Sequence, residues 1–193
     1  MSHRPRIAAF AASLREGSFN RSLIQAGTKA ASDAGADVTL LDLGDYPLPL
    51  YDANLEKREG LPENALRLKE VFGAHDAFLL SLPEYNGSVT PLFKNTIDWA
   101  SRPVEGKPGL GWARGKPVAL LSASNGALGG LRGLYHARWV LQTIGMIVLP
   151  GQKALSRAAG AFDENGDLKD EKELQAVRGV VTALVDIARR LAA

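Results

Sequence analysis

The sequence predicts an α/β fold: one domain built on a five-stranded parallel sheet with helices on both faces. Three observations lead there. Short apolar runs alternate with helix-period patterns from one end of the chain to the other. The runs are apolar at successive positions rather than at every second one, which is the pattern of strands buried on both faces, as in a parallel sheet. The 193 residues contain no linker, internal repeat or low-complexity stretch. That length suits one domain, which buries roughly 70% of the surface its unfolded chain exposes.

In chain order, RIAAFAA (Arg6 to Ala12) reads as the first strand, followed by a Gly/Ser/Asn break and a helix to about Ala34. VTLLDL (Val38 to Leu43) is a strand, and a polar, proline-bearing loop follows through Tyr46, Pro47, Pro49 and Tyr51. A helix spans Leu61 to Phe72, and AFLLSL (Ala77 to Leu82) is a continuous buried strand. Thr90 to Ala100 is helical, with Thr90 as N-cap and Pro91 at the first helical position. PVALLSA (Pro117 to Ala123) is a strand, Leu128 to Ile144 a helix, and MIVLP (Met146 to Pro150) a last short strand. The terminal helix carries Leu174, Val177, Val181, Leu184, Ala188 and Leu191 in one apolar stripe.

Composition excludes several chemistries. No cysteine is present, which removes disulfides, thiol nucleophiles, thiolate zinc sites and iron–sulfur clusters. The three histidines, His3, His75 and His136, lack metal-ligand spacing. The charges nearly cancel, with 23 Lys plus Arg against 21 Asp plus Glu, so a nucleic-acid partner is not expected. No run reaches the ~18 apolar residues of a membrane span, and IAAFAA is too short for a signal peptide. A cytoplasmic protein is expected. Between Ser101 and Arg157, Arg102, Lys107, Arg114, Lys116, Arg132, Arg138, Lys153 and Arg157 face only Glu105, a basic zone that fits a small anion or merely solvated charge.

Ligands of such a fold bind outside the carboxyl ends of the strands, so three loops matter most. SLREGSFNRS after the first strand places Ser13, Arg15, Ser18, Asn20 and Ser22 before a helix, where a phosphate can bind or a side chain can simply cap. It matches neither the Walker loop nor GxGxxG. After the third strand, Pro83, Glu84, Tyr85, Asn86 and Gly87 form a tight turn against which a flat ligand can lie. SASNGALGGLRG supplies Ser124, Asn125 and Gly126, with further glycines that permit close backbone approach; alone it is an ordinary Gly-rich connection. Arg132 and His136 share a helix face that suits a phosphate, a subunit neighbour or plain solvation. No Ser–His–acid set or paired carboxylates can be read, so any catalysis would be carried by an organic cofactor.

ASLREGSFNRSL, LPEYNGSVTPLFKNTIDWASRP and SASNGALGGLRGLYHARWVLQTIG resemble, in order and spacing, the NAD(P)H-dependent FMN reductases of the flavodoxin-like proteins, especially quinone, chromate and azo-dye reductases. FDENGDLKDEKE resembles the acidic turn of the same family. The resemblance implies bound FMN, with NADPH or NADH as co-substrate and a ping-pong hydride transfer to quinones, azo compounds, chromate or free flavin. It implies that Ser13, Arg15, Ser18, Asn20 and Ser22 hold the phosphate. Pro83, Glu84, Tyr85, Asn86 and Gly87 would hold the isoalloxazine, and Ser124, Asn125 and Gly126 the third flavin-contacting loop. No catalytic side chain is implied. It also implies a homodimer or homotetramer, with Arg132, Tyr135 and Trp139 as interface groups. Ala12 replaces the usual Gly, which predicts a tighter phosphate turn, and Asn125 stands where a small residue or Pro is frequent. A flavodoxin-type electron carrier and a non-enzymatic flavin-binding sensor are the alternatives.

Overall fold

The computed structural model describes residues 3–104, 106 and 108–192; Glu105 and Lys107 of the basic zone lie outside them. The strands are β1 (Arg6–Ala11), β2 (Asp37–Leu41), β3 (Ala77–Ser81), β4 (Pro117–Ala123) and β5 (Ile147–Leu155). All pairings are parallel, in the order β2-β1-β3-β4-β5. The chain winds outward from β1 to β2, then crosses back to lay β3, β4 and β5 on the other side. Winding reverses between β1 and β3, and the loops leaving their carboxyl ends separate there.

The helices are α1 (Phe19–Asp33), α2 (Ala53–Glu59), α3 (Glu63–Ala74), α4 (Pro91–Ala100), α5 (Leu131–Thr143) and α6 (Glu171–Leu191). Alternating strand residues feed two cores. Ile7, Ala9, Leu79 and Leu121 pack with Leu23 of α1 and Val181 and Leu184 of α6. Ala8, Phe10, Phe78 and Leu120 pack with Phe72 of α3, Phe93 of α4 and Leu134 of α5. Because β1, β3 and β4 are buried on both faces, their sequences show no alternation.

Most element boundaries agree with the sequence to within a few residues. Thr90 does cap α4, its hydroxyl accepting the Phe93 N–H at 3.2 Å, with Pro91 next. Three differences have clear causes. α5 begins at Leu131 rather than Leu128, because Gly129 and Gly130 take φ of 61° and 90°, outside the helical region. β5 runs on past Pro150 to Leu155; on this edge strand Pro150 and Gly151 followed by half-buried Gln152 and Lys153 interrupt the apolar run and conceal its length. α2 went unread because it buries nothing, being started by Asp52, whose carboxylate accepts the N–H groups of Asn54 and Leu55. The loop before it is strapped to α4 through the Pro49 carbonyl, which accepts Trp99 Nε1 at 2.7 Å and Asn95 Nδ2 at 2.9 Å. Among the described residues no helix is long and apolar enough to cross a membrane.

Candidate functional site

The first loop is stitched to the second where it leaves the sheet. The Ala12 N–H donates to the Ser81 carbonyl at 3.0 Å, and the Ala12 carbonyl accepts the Thr90 hydroxyl at 3.2 Å. Ala12 has no positive φ and is buried in the core beside Phe10, so alanine fits there without tightening the turn. Gly17, at φ 62°, swings the chain into α1. The N–H groups of Gly17, Ser18, Phe19 and Asn20 meet no protein acceptor among the described residues. Ser18 occupies the N-cap position, yet its hydroxyl caps nothing. Consecutive unpaired N–H groups at the positive end of a helix attract an anion. Buried Ser13 and Ser18 lie in this loop, and exposed Arg15 rests over the Phe19 ring at 5.6 Å.

The Asn20 side chain makes three bonds within the fold. Its amide oxygen accepts the Ser81 hydroxyl at 2.9 Å and the Ala123 N–H at 3.1 Å, while its Nδ2 donates to the Ala123 carbonyl at 2.9 Å. The side chain expected at the phosphate also ties α1 to the ends of β3 and β4, and one Nδ2 hydrogen has no acceptor among the described residues. Ser22 lies one turn into α1, with its N–H on the Ser18 carbonyl. Ser13 also lines a small pocket beside the Arg21–Asp42 ion pair.

The turn after β3 is a two-residue hairpin. Tyr85 and Ser88 exchange N–H···O bonds of 3.0 and 2.9 Å, and Asn86 and Gly87 take φ of 51° and 78°. That is the type I′ geometry favoured by Asn-Gly. The N–H groups of Asn86 and Gly87 have no acceptor among the described residues, and Tyr85 is exposed. Pro83 precedes Glu84, whose carboxylate turns toward α5 rather than outward. One oxygen accepts the N–H groups of Arg132 at 3.0 Å and Gly133 at 3.2 Å, and the other pairs with the Arg132 guanidinium. Gly130, the N-cap of α5, has no side chain to offer, so Glu84 caps α5 from the neighbouring loop. Burial alone would raise the Glu84 carboxyl; the Arg132 guanidinium and the two N–H groups outweigh it and hold the acid below its ordinary value. One turn on, His136 Nδ1 lies 2.9 Å from Ser88 Oγ.

The loop after β4 leans on the end of β5. The Ser124 N–H donates to the Leu155 carbonyl at 3.0 Å, and the Ser124 carbonyl accepts from Ala158 at 3.2 Å. Asn125 Oδ1 accepts the Ala159 N–H at 2.7 Å, so this polar departure from the family pattern braces two loops. Gly130 admits no Cβ, which would sit 2.0 Å from Ser122 Oγ. Between the second and third loops lies a crevice of about 630 Å³, lined by Glu84, Asn86, Gly87, Ser124, Gly126 and Arg132 among others.

Of the expected site residues, the structure gathers Glu84, Asn86, Gly87, Ser124 and Gly126 at the crevice, and Ser13, Arg15 and Ser18 in the first loop. Pro83 and Tyr85 flank the turn, while Asn20 and Asn125 point into the scaffold. Sequence reading missed the second contact of Thr90 and the hydroxyl of Ser81, whose partners are 78 and 61 residues away. The basic zone is largely spent inside the fold. Arg102 pairs with Glu56, Lys153 with Glu173, and Lys116 and Arg138 donate to backbone carbonyls.

The NADPH-dependent FMN reductase family model matches residues 5–160. An NAD(P)H-dependent FMN reductase of Pseudomonas aeruginosa is 35% identical over 192 residues, 99% of each chain. A quinone reductase of Escherichia coli is 31% identical over 193 residues, again 99% of each. Among solved structures, the flavoenzyme NAD(P)H:(acceptor) oxidoreductase of Paracoccus denitrificans superposes with a TM-score of 0.82 at 32% identity, covering 96% of this chain and 98% of that one. A sheet that reverses its winding between β1 and β3, unpaired amides at the loops beside that reversal, and relatives matched end to end all lead to one assignment: the chain belongs to the NADPH-dependent FMN reductase family.

Proposed function

We propose that this protein binds FMN and uses it to pass electrons from NAD(P)H to small acceptors, quinones first among them. One observation carries this reading: two sets of unpaired backbone donors, Gly17–Asn20 and Asn86–Gly87, flank the same reversal at the carboxyl edge of the sheet. The first set, with the hydroxyls of Ser13 and Ser18 and the cation of Arg15, suits a phosphate ester; Ser22 extends it. The second set, with Ser124 and Gly126 across the crevice, suits the polar rim of a flat heteroaromatic ring. Glu84 lines the crevice, Pro83 and Asn125 adjoin lining residues along the chain, and Tyr85 supplies an exposed aromatic face.

Bound FMN would supply the hydride chemistry, taking the pair of electrons from NAD(P)H and returning it to the acceptor. The chain's part is to hold the ring, aim amide dipoles at its rim and leave one face open. If donor and acceptor share the one open face, they would take turns there, and steady-state lines for the two substrates would run parallel. The same open face accommodates azo compounds, chromate or free flavin. The relatives named for FMN reduction, quinone reduction and NAD(P)H:(acceptor) oxidoreduction support this reading.

We also propose that copies of the chain associate through the apolar groove of about 590 Å³ between α4 and α5, lined by Val89, Lys94, Tyr135, Trp139 and Val140. Trp139 is 77% exposed and Tyr135 57%, unusual for residues of their size. A single-chain mass by light scattering would refute this. For the activity, the test is anaerobic addition of NADPH to the FMN-reconstituted protein. Bleaching of the flavin band, with re-oxidation by a quinone, is expected. A band that persists would favour a carrier fed by a protein, and a protein that takes up no FMN would sink the proposal.

A further inference from the structure

Glu84 borders the crevice, yet its carboxylate is spent on α5. Its side chain is 9% exposed, against 62% for Arg132. Arg132 engages both oxygens, by its N–H at 3.0 Å and its Nε at 2.8 Å, and Gly133 N–H adds a third bond at 3.2 Å. The approach is tight: a Cβ on Gly133 would lie 3.1 Å from Glu84 Cβ. Three charges thus share one wall of the crevice. Arg132 carries a full positive charge, the N-terminus of α5 contributes roughly half of one, and Glu84 opposes both. Asn86 and Gly87, two and three residues along, face the same crevice as Arg132. A ring held there that gains negative charge is drawn by the first two and repelled by the third.

Resting on the FMN reading above, we propose that Glu84 is a positioning and charge-setting residue: it pins the Tyr85–Ser88 turn to the start of α5, and its negative charge limits how strongly Arg132 and that helix end favour the reduced, anionic flavin ring over the oxidised, neutral one. The role is held at a distance, through Arg132 and the α5 amides, not by contact with the ring.

The signs are opposite for the two partners. Glu84→Gln keeps the shape and one acceptor oxygen but deletes the negative charge. Reduced FMN then gains relative to oxidised FMN, and the ratio of dissociation constants, oxidised over reduced, rises about tenfold. Arg132→Gln deletes the positive charge and lowers the ratio by a similar factor. Glu84→Asp keeps the charge with poorer reach, which weakens both forms and leaves the ratio near that of the unaltered protein. A carboxylate serving only as scaffold would weaken the two forms in parallel in every variant.

The experiment is calorimetric titration of the FMN-free full chain and its variants, under anaerobic conditions, with oxidised FMN and with dithionite-reduced FMN. Opposite shifts of the ratio in E84Q and R132Q support the proposal. An unchanged ratio, or shifts of one sign, overturns it while leaving the FMN reading intact. Should E84Q fail to fold, the double variant E84Q/R132Q, which leaves no unpaired guanidinium, is compared with R132Q: a higher ratio in the double variant supports the proposal, and an equal or lower one overturns it. Failure of the unaltered protein to bind either form of FMN overturns the FMN reading, and this proposal with it.

Discussion

The two ends of the site are built in opposite ways. At the first loop the backbone is bare: the N–H groups of Gly17 to Asn20 lack protein acceptors, and the Ser18 hydroxyl caps nothing. At the crevice between the second and third loops the side chains are committed, with Glu84 on α5, Ser88 beside His136 and Asn125 on Ala159. One end offers donors; the other holds a shape. The contrast teaches where substitutions should be felt. A change at Ser18 in the bare loop alters what binds while the fold endures, whereas a change in the committed wall, or in the tied side chain of Asn20, alters the fold first.

Two glycines give the sharpest break. Gly130→Ala places a Cβ 2.0 Å from Ser122 Oγ at a residue with φ 90°. We expect at least about 3 kcal/mol of lost stability from overpacking and strain, read as a lower urea midpoint. Gly17→Ala shares the positive φ, at 62°, but meets nothing within 4 Å. Its cost should be only about 1 kcal/mol. Equal costs would mean that the crevice wall is not the rigid half.

Asn20→Ala comes next. It strips partners from the Ser81 hydroxyl and from both backbone groups of Ala123, all buried. Roughly 2–3 kcal/mol should go, given the penalty for orphaned buried polar groups. Thermal melting of the FMN-free protein checks it, and an unchanged melt would return Asn20 to the phosphate. Ser18→Ala is the mirror case. With no cap bond to lose, stability should move by less than about 0.5 kcal/mol, while FMN affinity drops about fivefold with one phosphate donor gone. A large loss of stability without loss of affinity would reverse the contrast drawn above.

The smallest effect is on pH. Glu84 is held below its ordinary value in the folded chain, burial being outweighed by Arg132 and the α5 amides. Its contribution is therefore fully present above the unfolded carboxylate value of about 4.3 and is lost as pH falls through the lower folded value. The stability advantage of the unaltered protein over E84Q should shrink as urea melts are taken from pH 6 toward pH 3. An advantage that grew on acidification would contradict the ion pair.

Much of the fold was legible because burial on both faces leaves an unmistakable mark. AFLLSL and PVALLSA, apolar at nearly every position, could only be strands of a covered parallel sheet. Thr90-Pro91 announced α4 through local stereochemistry, as Asn86-Gly87 announced a tight turn. α2 and the second half of β5 escaped because neither buries a continuous apolar face. At the candidate site, residue types and spacing singled out loops that the sheet gathers at its carboxyl edge, but not where each side chain would aim.

That limit has a physical cause. Local sequence sets which segments become strands, helices and turns, since periodicity, capping and φ preference act within a few residues. It thereby placed three polar loops at one edge of a parallel sheet. The commitments of Asn20 to Ala123, Glu84 to Gly133 and Thr90 to Ala12 span 103, 49 and 78 residues. They exist only after the sheet has assembled and buried those groups, because an unpaired polar atom becomes costly only once water is gone. Packing, not pattern, chose which of the polar residues hold the site together and which are left to bind.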